Sequence, residues 1–200
     1  QRLARSGVHA NDSLGGSTGE TFRREGIHKA NRRDLAPIIS KRESAATTVS
    51  ATLWLARNAG LGPCIMATGG LGGVHRDAGR TFDISTDLDE LARADGSVVV
   101  CSGCKSILDL PATLEAMETR GVTVVGYRTN EMPAFTSVSS RLPLEHRVES
   151  PHEAASLILS HRSLGLPGAI VLANPVPEEH AVDSEAMNRA LDEALRQAEL

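Results

Sequence analysis

The run Val98-Val99-Val100-Cys101 constrains the fold more than any other stretch of the chain. Four apolar, mostly β-branched residues in succession offer water no polar face, so a strand here must be covered on both sides. Cys64 to Ala67, Val122 to Gly126 and Ala169 to Ala173 read the same way. Between these runs the apolar spacing turns helical. Thr47 to Asn58 carries Val49, Leu53 and Leu55, with Gly60 beyond it as a stop. Asp87 to Ala94 and Pro111 to Arg120, closed by Gly121, are further helices. Ser150-Pro151-His152-Glu153 combines a capping serine, a first-turn proline and a capping-box glutamate, and opens a helix running to about Leu164. Asp183 to Ala198 is a last helix, and Leu35-Ala36-Pro37-Ile38-Ile39 reads as a short strand. Strands buried on both faces and alternating with helices predict an α/β fold with a mainly parallel sheet flanked by helices. No repeat or linker interrupts residues 1–200, which read as a single domain; His9 to Glu20 is loop-rich.

In folds of this kind ligands bind beyond the carboxyl ends of the strands. Three segments fall there. Gly69-Gly70-Leu71-Gly72-Gly73-Val74-His75 follows a strand, and its glycines would let backbone N–H groups approach a phosphate or sugar; a tight turn explains them equally well. It is neither a dinucleotide fingerprint, since His75 stands where the third glycine belongs, nor a Walker loop. Cys101-Ser102-Gly103-Cys104 has redox spacing, but small residues packing at a strand end is the plainer reading, and no second cysteine pair completes a zinc site. Lys105 comes next. A lysine at a sheet edge that loses its proton, through partial burial or a nearby cation, can attack a carbonyl carbon and form a Schiff base. Only three of the 21 basic residues are lysines, Lys29, Lys41 and Lys105, and arginine cannot replace a lysine that must lose its proton. From the residues alone, Lys105 also suits an aldolase-like lyase.

Asp83, Asp87 and Asp89 lie among Thr81, Ser85 and Thr86. Carboxylates with hydroxyls and water suit a hard divalent ion, and the same residues suit a helix N-terminus. Lys29, Arg32 and Arg33 form a basic cluster that would hold a phosphate or simply face solvent.

Composition removes several classes. A net charge of −4 argues against a general nucleic-acid binder, and one Trp and one Tyr leave little for base-stacking along a strand. No apolar run approaches the roughly 20 residues of a membrane helix. Three cysteines suit a reducing, cytoplasmic setting. The chain starts at Gln1 with no signal pattern after it, so either its start is processed or it is cut from something longer.

Taken in order, these motifs resemble the pseudouridine-5′-phosphate glycosidase family, also called indigoidine synthase A-like. The matching stretches are Lys29 to Leu35, Ala46 to Ser50, Ala67 to Arg76, Thr81 to Leu88, Cys101 to Leu110, Pro133 to Phe135 and Ala173 to Glu178. They cover residues 27–200, leaving 1–26 poorly matched. The resemblance implies cleavage of the C-glycosidic bond of pseudouridine 5′-phosphate to uracil and ribose 5-phosphate through a lysine Schiff base. It implies Lys105 as the nucleophile and Asp83 as the ligand of Mn2+ or another divalent cation. Lys29, Val49 (through its backbone) and Ser85, Thr86 and Asp87 match substrate contacts. Thr68, His75 and Asn174 lie in pocket-forming motifs. It further implies a cytoplasmic homo-oligomer, a homotrimer, with no nucleic-acid or membrane partner. The family's first strand carries a proton-donating glutamate for which Glu20 and Glu25 are no counterpart, and the family continues past a final helix. Beside cleavage, the alternative expectation is a truncated, non-catalytic homologue, a fragment or a gene product that binds sugar phosphate, or oligomerises, without turnover.

Overall fold

The computed structural model describes residues 27–198; the loop expected at His9 to Glu20 lies outside them. The strands are β1 (Ile27–Ala30), β2 (Ser44–Thr47), β3 (Ile65–Ala67), β4 (Val98–Cys101), β5 (Thr123–Tyr127), β6 (Arg147–Val148) and β7 (Ile170–Ala173). The helices are α1 (Leu35–Lys41), α2 (Val49–Asn58), α3 (Ala78–Thr81), α4 (Thr86–Leu91), α5 (Leu110–Thr119), α6 (Pro151–Ser163) and α7 (Ser184–Ala198).

Five strands form one sheet in the order β3-β4-β7-β5-β6, and every pairing is parallel. β1 and β2 form a separate two-stranded parallel sheet. The expected α/β architecture with a parallel sheet is what the chain adopts. The period-2 alternation of strands explains why. Val99 and Cys101 of β4 and Val171 and Ala173 of β7 pack into one apolar cluster with Leu53 of α2, Leu88 and Leu91 of α4 and Met117 of α5. Val98 and Ile170 face the other way, into a second cluster with Val125, Val148 and Ala154 of α6. A third cluster, built on Ala30, Leu35 and Ala51, joins the small sheet to α1 and α2.

The Ser150 hydroxyl accepts from the Glu153 N–H at 3.2 Å, as the capping motif requires, although the Glu153 carboxylate takes the N–H of Glu149 at 2.9 Å instead of closing the box on Ser150. One expectation fails. Leu35 to Ile39 is helical, not a strand, because Pro37 falls in the first turn, where its missing N–H costs nothing. Among the described residues no helix is long and apolar enough to cross a membrane.

Candidate active site

The parallel pairing of β3 with β4 continues past both strands into their loops. Thr68 N–H donates to the Val100 carbonyl at 3.0 Å, and Ser102 N–H to the Gly69 carbonyl at 2.8 Å. Leu71 N–H then donates to Gly103 at 2.9 Å, and Lys105 N–H to Leu71 at 3.1 Å. The glycine segment and the lysine loop are thus stitched together at the carboxyl edge of the sheet. On its other flank the glycine segment pairs antiparallel with Asp83 to Ser85. His75 N–H donates to the Asp83 carbonyl at 3.0 Å and Ser85 N–H to the Gly73 carbonyl at 2.9 Å. Asn174, just beyond β7, donates its N–H to the Cys101 carbonyl at 2.8 Å. Thr68, His75, Asp83, Lys105 and Asn174 therefore occur on one connected set of loops.

Lys105 is exposed, and among the described residues its side chain has no hydrogen-bond or ion-pair partner. The partial burial expected of it is not found. Its loop leads through Asp109, whose carboxylate caps α5 by accepting the Ala112 N–H at 3.0 Å. Cys101 and Cys104 are free and buried. Burial pushes the Cys101 thiol up to about 11 and raises that of Cys104 further, so neither has the thiolate character of a redox cysteine.

The three aspartates do not act together. Asp89 pairs with Arg120 at 3.0 Å. Asp87, 4% exposed, accepts the Ser50 N–H at 2.9 Å and the Gly72 N–H at 3.0 Å, so both of its oxygens are committed to backbone. Asp83 faces out without an arginine partner among the described residues, its side chain 64% exposed, with His75 Nδ1 3.7 Å away. Among the described residues no three His, Cys, Asp or Glu side chains gather as a metal cage. One carboxylate beside one imidazole fits a cation that keeps most of its ligands as water, the habit of magnesium and manganese.

Ser85 caps α4, its hydroxyl accepting the Asp87 N–H at 3.2 Å, and Thr86 follows as the first helical residue. The Thr86 hydroxyl lies 3.1 Å from that of Ser50 and donates to the Asn31 side-chain oxygen at 3.4 Å. Val49, buried, opens α2, and Lys29 is exposed on β1. The basic cluster is divided: Arg33 turns to Asp34 at 3.5 Å, and Arg32 reaches inward to Glu90 at 2.9 Å.

Glu90 is a residue that motif reading misses. Its side chain is 0% exposed; Arg32 donates a hydrogen bond to Oε2, while Arg57 is an ion-pair partner 3.1 Å from Oε1 that makes no hydrogen bond to it. Burial raises its pKa, and the guanidiniums of Arg57, Arg32 and Arg93 pull it back. Arg32 follows β1, Arg57 ends α2 and Glu90 belongs to α4, so one buried carboxylate joins the three segments that bear Lys29, Val49 and Ser85 to Asp87. No local signal announces it: Arg32 and Glu90 are 58 residues apart.

A glycine-rich segment flanked by a lysine loop and an acidic loop stands at the open end of a parallel sheet, the edge at which α/β proteins bind their ligands. The chain belongs to the indigoidine synthase A-like family, whose model, described as indigoidine synthase A like protein, matches residues 17–200. A pseudouridine-5′-phosphate glycosidase of Caldanaerobacter subterraneus subsp. tengcongensis is 51% identical over 173 residues, covering 86% of this chain and 55% of that protein. An indigoidine synthase A-like protein of Thermotoga maritima superposes with a TM-score of 0.78 at 39% identity, over 86% of this chain and 57% of that one. The prealnumycin C-glycosynthase AlnA, solved in complex with ribulose 5-phosphate, gives 0.81 at 37% identity, over 88% and 57%. The chain spans about half the length of the curated relatives it matches.

Proposed function

We propose that the chain binds a pentose 5-phosphate at the carboxyl edge of its sheet and cleaves the C-glycosidic bond of pseudouridine 5′-phosphate, giving uracil and ribose 5-phosphate. The observation that carries this reading is the setting of Lys105. An amine with no partner among the described residues stands on a loop bonded to the glycine segment, in a chain 51% identical over 173 residues to a pseudouridine-5′-phosphate glycosidase. The sugar phosphate bound to AlnA supports the same ligand class.

The chemistry follows from the bond. Base and sugar are joined carbon to carbon, so protonating an oxygen leaving group, the usual glycosidase route, is unavailable. The Lys105 amine, unprotonated, attacks C1′; the C–N bond forms as the bond from C1′ to the ring oxygen breaks, the nitrogen loses a proton and the oxygen gains one. The nitrogen lone pair then forms the iminium as the C1′–C5 bond breaks, and that bond's electron pair passes to the uracil ring, which takes a proton. Water hydrolyses the imine, releasing ribose 5-phosphate and restoring the amine. Lys29 holds anionic substrate atoms and Ser85 and Thr86 contact the substrate, while Asp87, its oxygens taken by the Ser50 and Gly72 N–H groups, braces that loop instead of touching the ligand. Thr68, His75 and Asn174 line the pocket. Asp83 would hold Mn2+ or another divalent cation, which supplies charge stabilisation when bound.

A second reading, sugar-phosphate binding and imine formation without release of uracil, rests on the exposure of Lys105, which lacks the partial burial expected of a catalytic amine. Incubation with pseudouridine 5′-phosphate and Mn2+ separates the two. Uracil release is expected; none, under conditions where a full-length relative releases it, overturns cleavage.

A further inference from the structure

Phe135 has a left-handed backbone, φ 62°. A bulky side chain adopts that conformation at a cost, and it persists only where its surroundings impose it. Here the surroundings are the lysine loop. Phe135 N–H donates to the Ser102 carbonyl at 2.8 Å, and the Ser102 hydroxyl donates to the Phe135 carbonyl at 2.7 Å. The next residue back is held as well: the Ser106 hydroxyl donates to the Ala134 carbonyl at 2.7 Å. Ser102 and Ser106 bracket Lys105, so the segment carrying the ring is fastened to the loop carrying the amine.

The ring lies over the glycine segment. A Cβ on Gly69 would stand 2.9 Å from the ring and one on Gly70 2.5 Å, distances that real side chains do not tolerate. Two successive residues are thus bare where the ring rests. Phe135 is nevertheless 36% exposed. One side of the ring is taken up by the glycine segment, and the surface it keeps open belongs to the segment fastened to the lysine loop. Trp54 and Tyr127 pack into apolar clusters elsewhere.

We infer that Phe135 is a base-binding residue whose ring forms an apolar platform for a planar heteroaromatic base joined to the sugar. The inference rests on the proposed function for the identity of that base, uracil. Stacking of a base on an aromatic ring is sequence-tolerant and needs no hydrogen bonds, so the platform would admit other flat rings of similar size.

The test measures binding of uracil and of ribose 5-phosphate separately, by calorimetry, to the 200-residue chain and to its Phe135→Leu and Phe135→Tyr variants, with thermal midpoints as a check on folding. Leucine keeps bulk and removes the π-face; tyrosine keeps the face. The expected result is about tenfold weaker uracil binding in Phe135→Leu, ribose 5-phosphate affinity unchanged, and uracil binding retained in Phe135→Tyr. Equal uracil affinity in Phe135→Leu, parallel loss of both ligands, or a parent chain that binds the sugar phosphate but no uracil overturns the platform. A chain that binds uracil through Phe135 without cleaving the nucleotide leaves the platform standing and overturns cleavage alone. One that binds neither ligand overturns both.

Discussion

The Asp87 carboxylate accepts the backbone N–H of Gly72 at 3.0 Å, across fifteen residues of chain. The contact draws the N-terminus of α4 against the glycine segment so closely that a Cβ on Gly72 would overlap the Ser85 hydroxyl and stand 2.8 Å from Asp87 Oδ2. Gly72→Ala is therefore expected to lower stability by about 2 kcal/mol, the cost of forcing atoms into a filled space. It should also weaken sugar-phosphate binding, because Ser85 and Thr86 must move. Urea unfolding and ligand titration of the same variant check both.

Glu90 is the sole described carboxylate paired with both Arg32 and Arg57. Glu90→Gln leaves two partly solvated cations facing a buried amide, which is expected to cost about 2 kcal/mol, less than for a fully buried pair. Replacing Asp89, which meets Arg120 at the surface, should cost about 1 kcal/mol or less. The contrast between the two urea midpoints is the measurement.

His161 completes the apolar stripe of α6 with Ala154, Leu157 and Ile158. Neither ring nitrogen has a hydrogen-bond partner among the described residues. Burial lowers its pKa, Arg162 lowers it further and Asp95 opposes them. The sign follows: below pH 6.5, the ordinary value, the unfolded chain takes up a proton that the folded chain refuses. Stability should fall as pH drops from about 6.5 toward the depressed value, and His161→Leu should flatten that slope. Unfolding midpoints at pH 8 and pH 5.5 for both proteins test this.

Cys101 and Cys104 should resist alkylation in the folded chain at pH 8, while Cys64, partly exposed, reacts first. Mass spectrometry before and after unfolding gives the order.

The central sheet was legible because β4 and β7 are apolar on both faces, α6 because Ser150 stands where a first turn needs an acceptor, and α5 because Pro111 and Gly121 bound it. β1 and β2 were not legible: Ile27-His-Lys-Ala and Ser44-Ala-Ala-Thr have neither alternation nor length. The loops around Lys105 could be named from their residues and motif order, but not their joining. The bonds from Lys105 to Leu71 and from Phe135 to Ser102 link residues about 30 positions apart, and no local period encodes such contacts. The acidic cluster misled for the opposite reason. Asp83, Asp87 and Asp89 are close in sequence, yet a helix start sends their carboxylates in three directions.

The covalent role of Lys105 is tested most directly by borohydride reduction in the presence of ribose 5-phosphate, followed by peptide mapping. With only three lysines in the chain the map is short. One reduced pentose-phosphate adduct on Lys105, absent from Lys105→Arg, is the expected result. An adduct on Lys29 or Lys41 instead, or none at all, would contradict it.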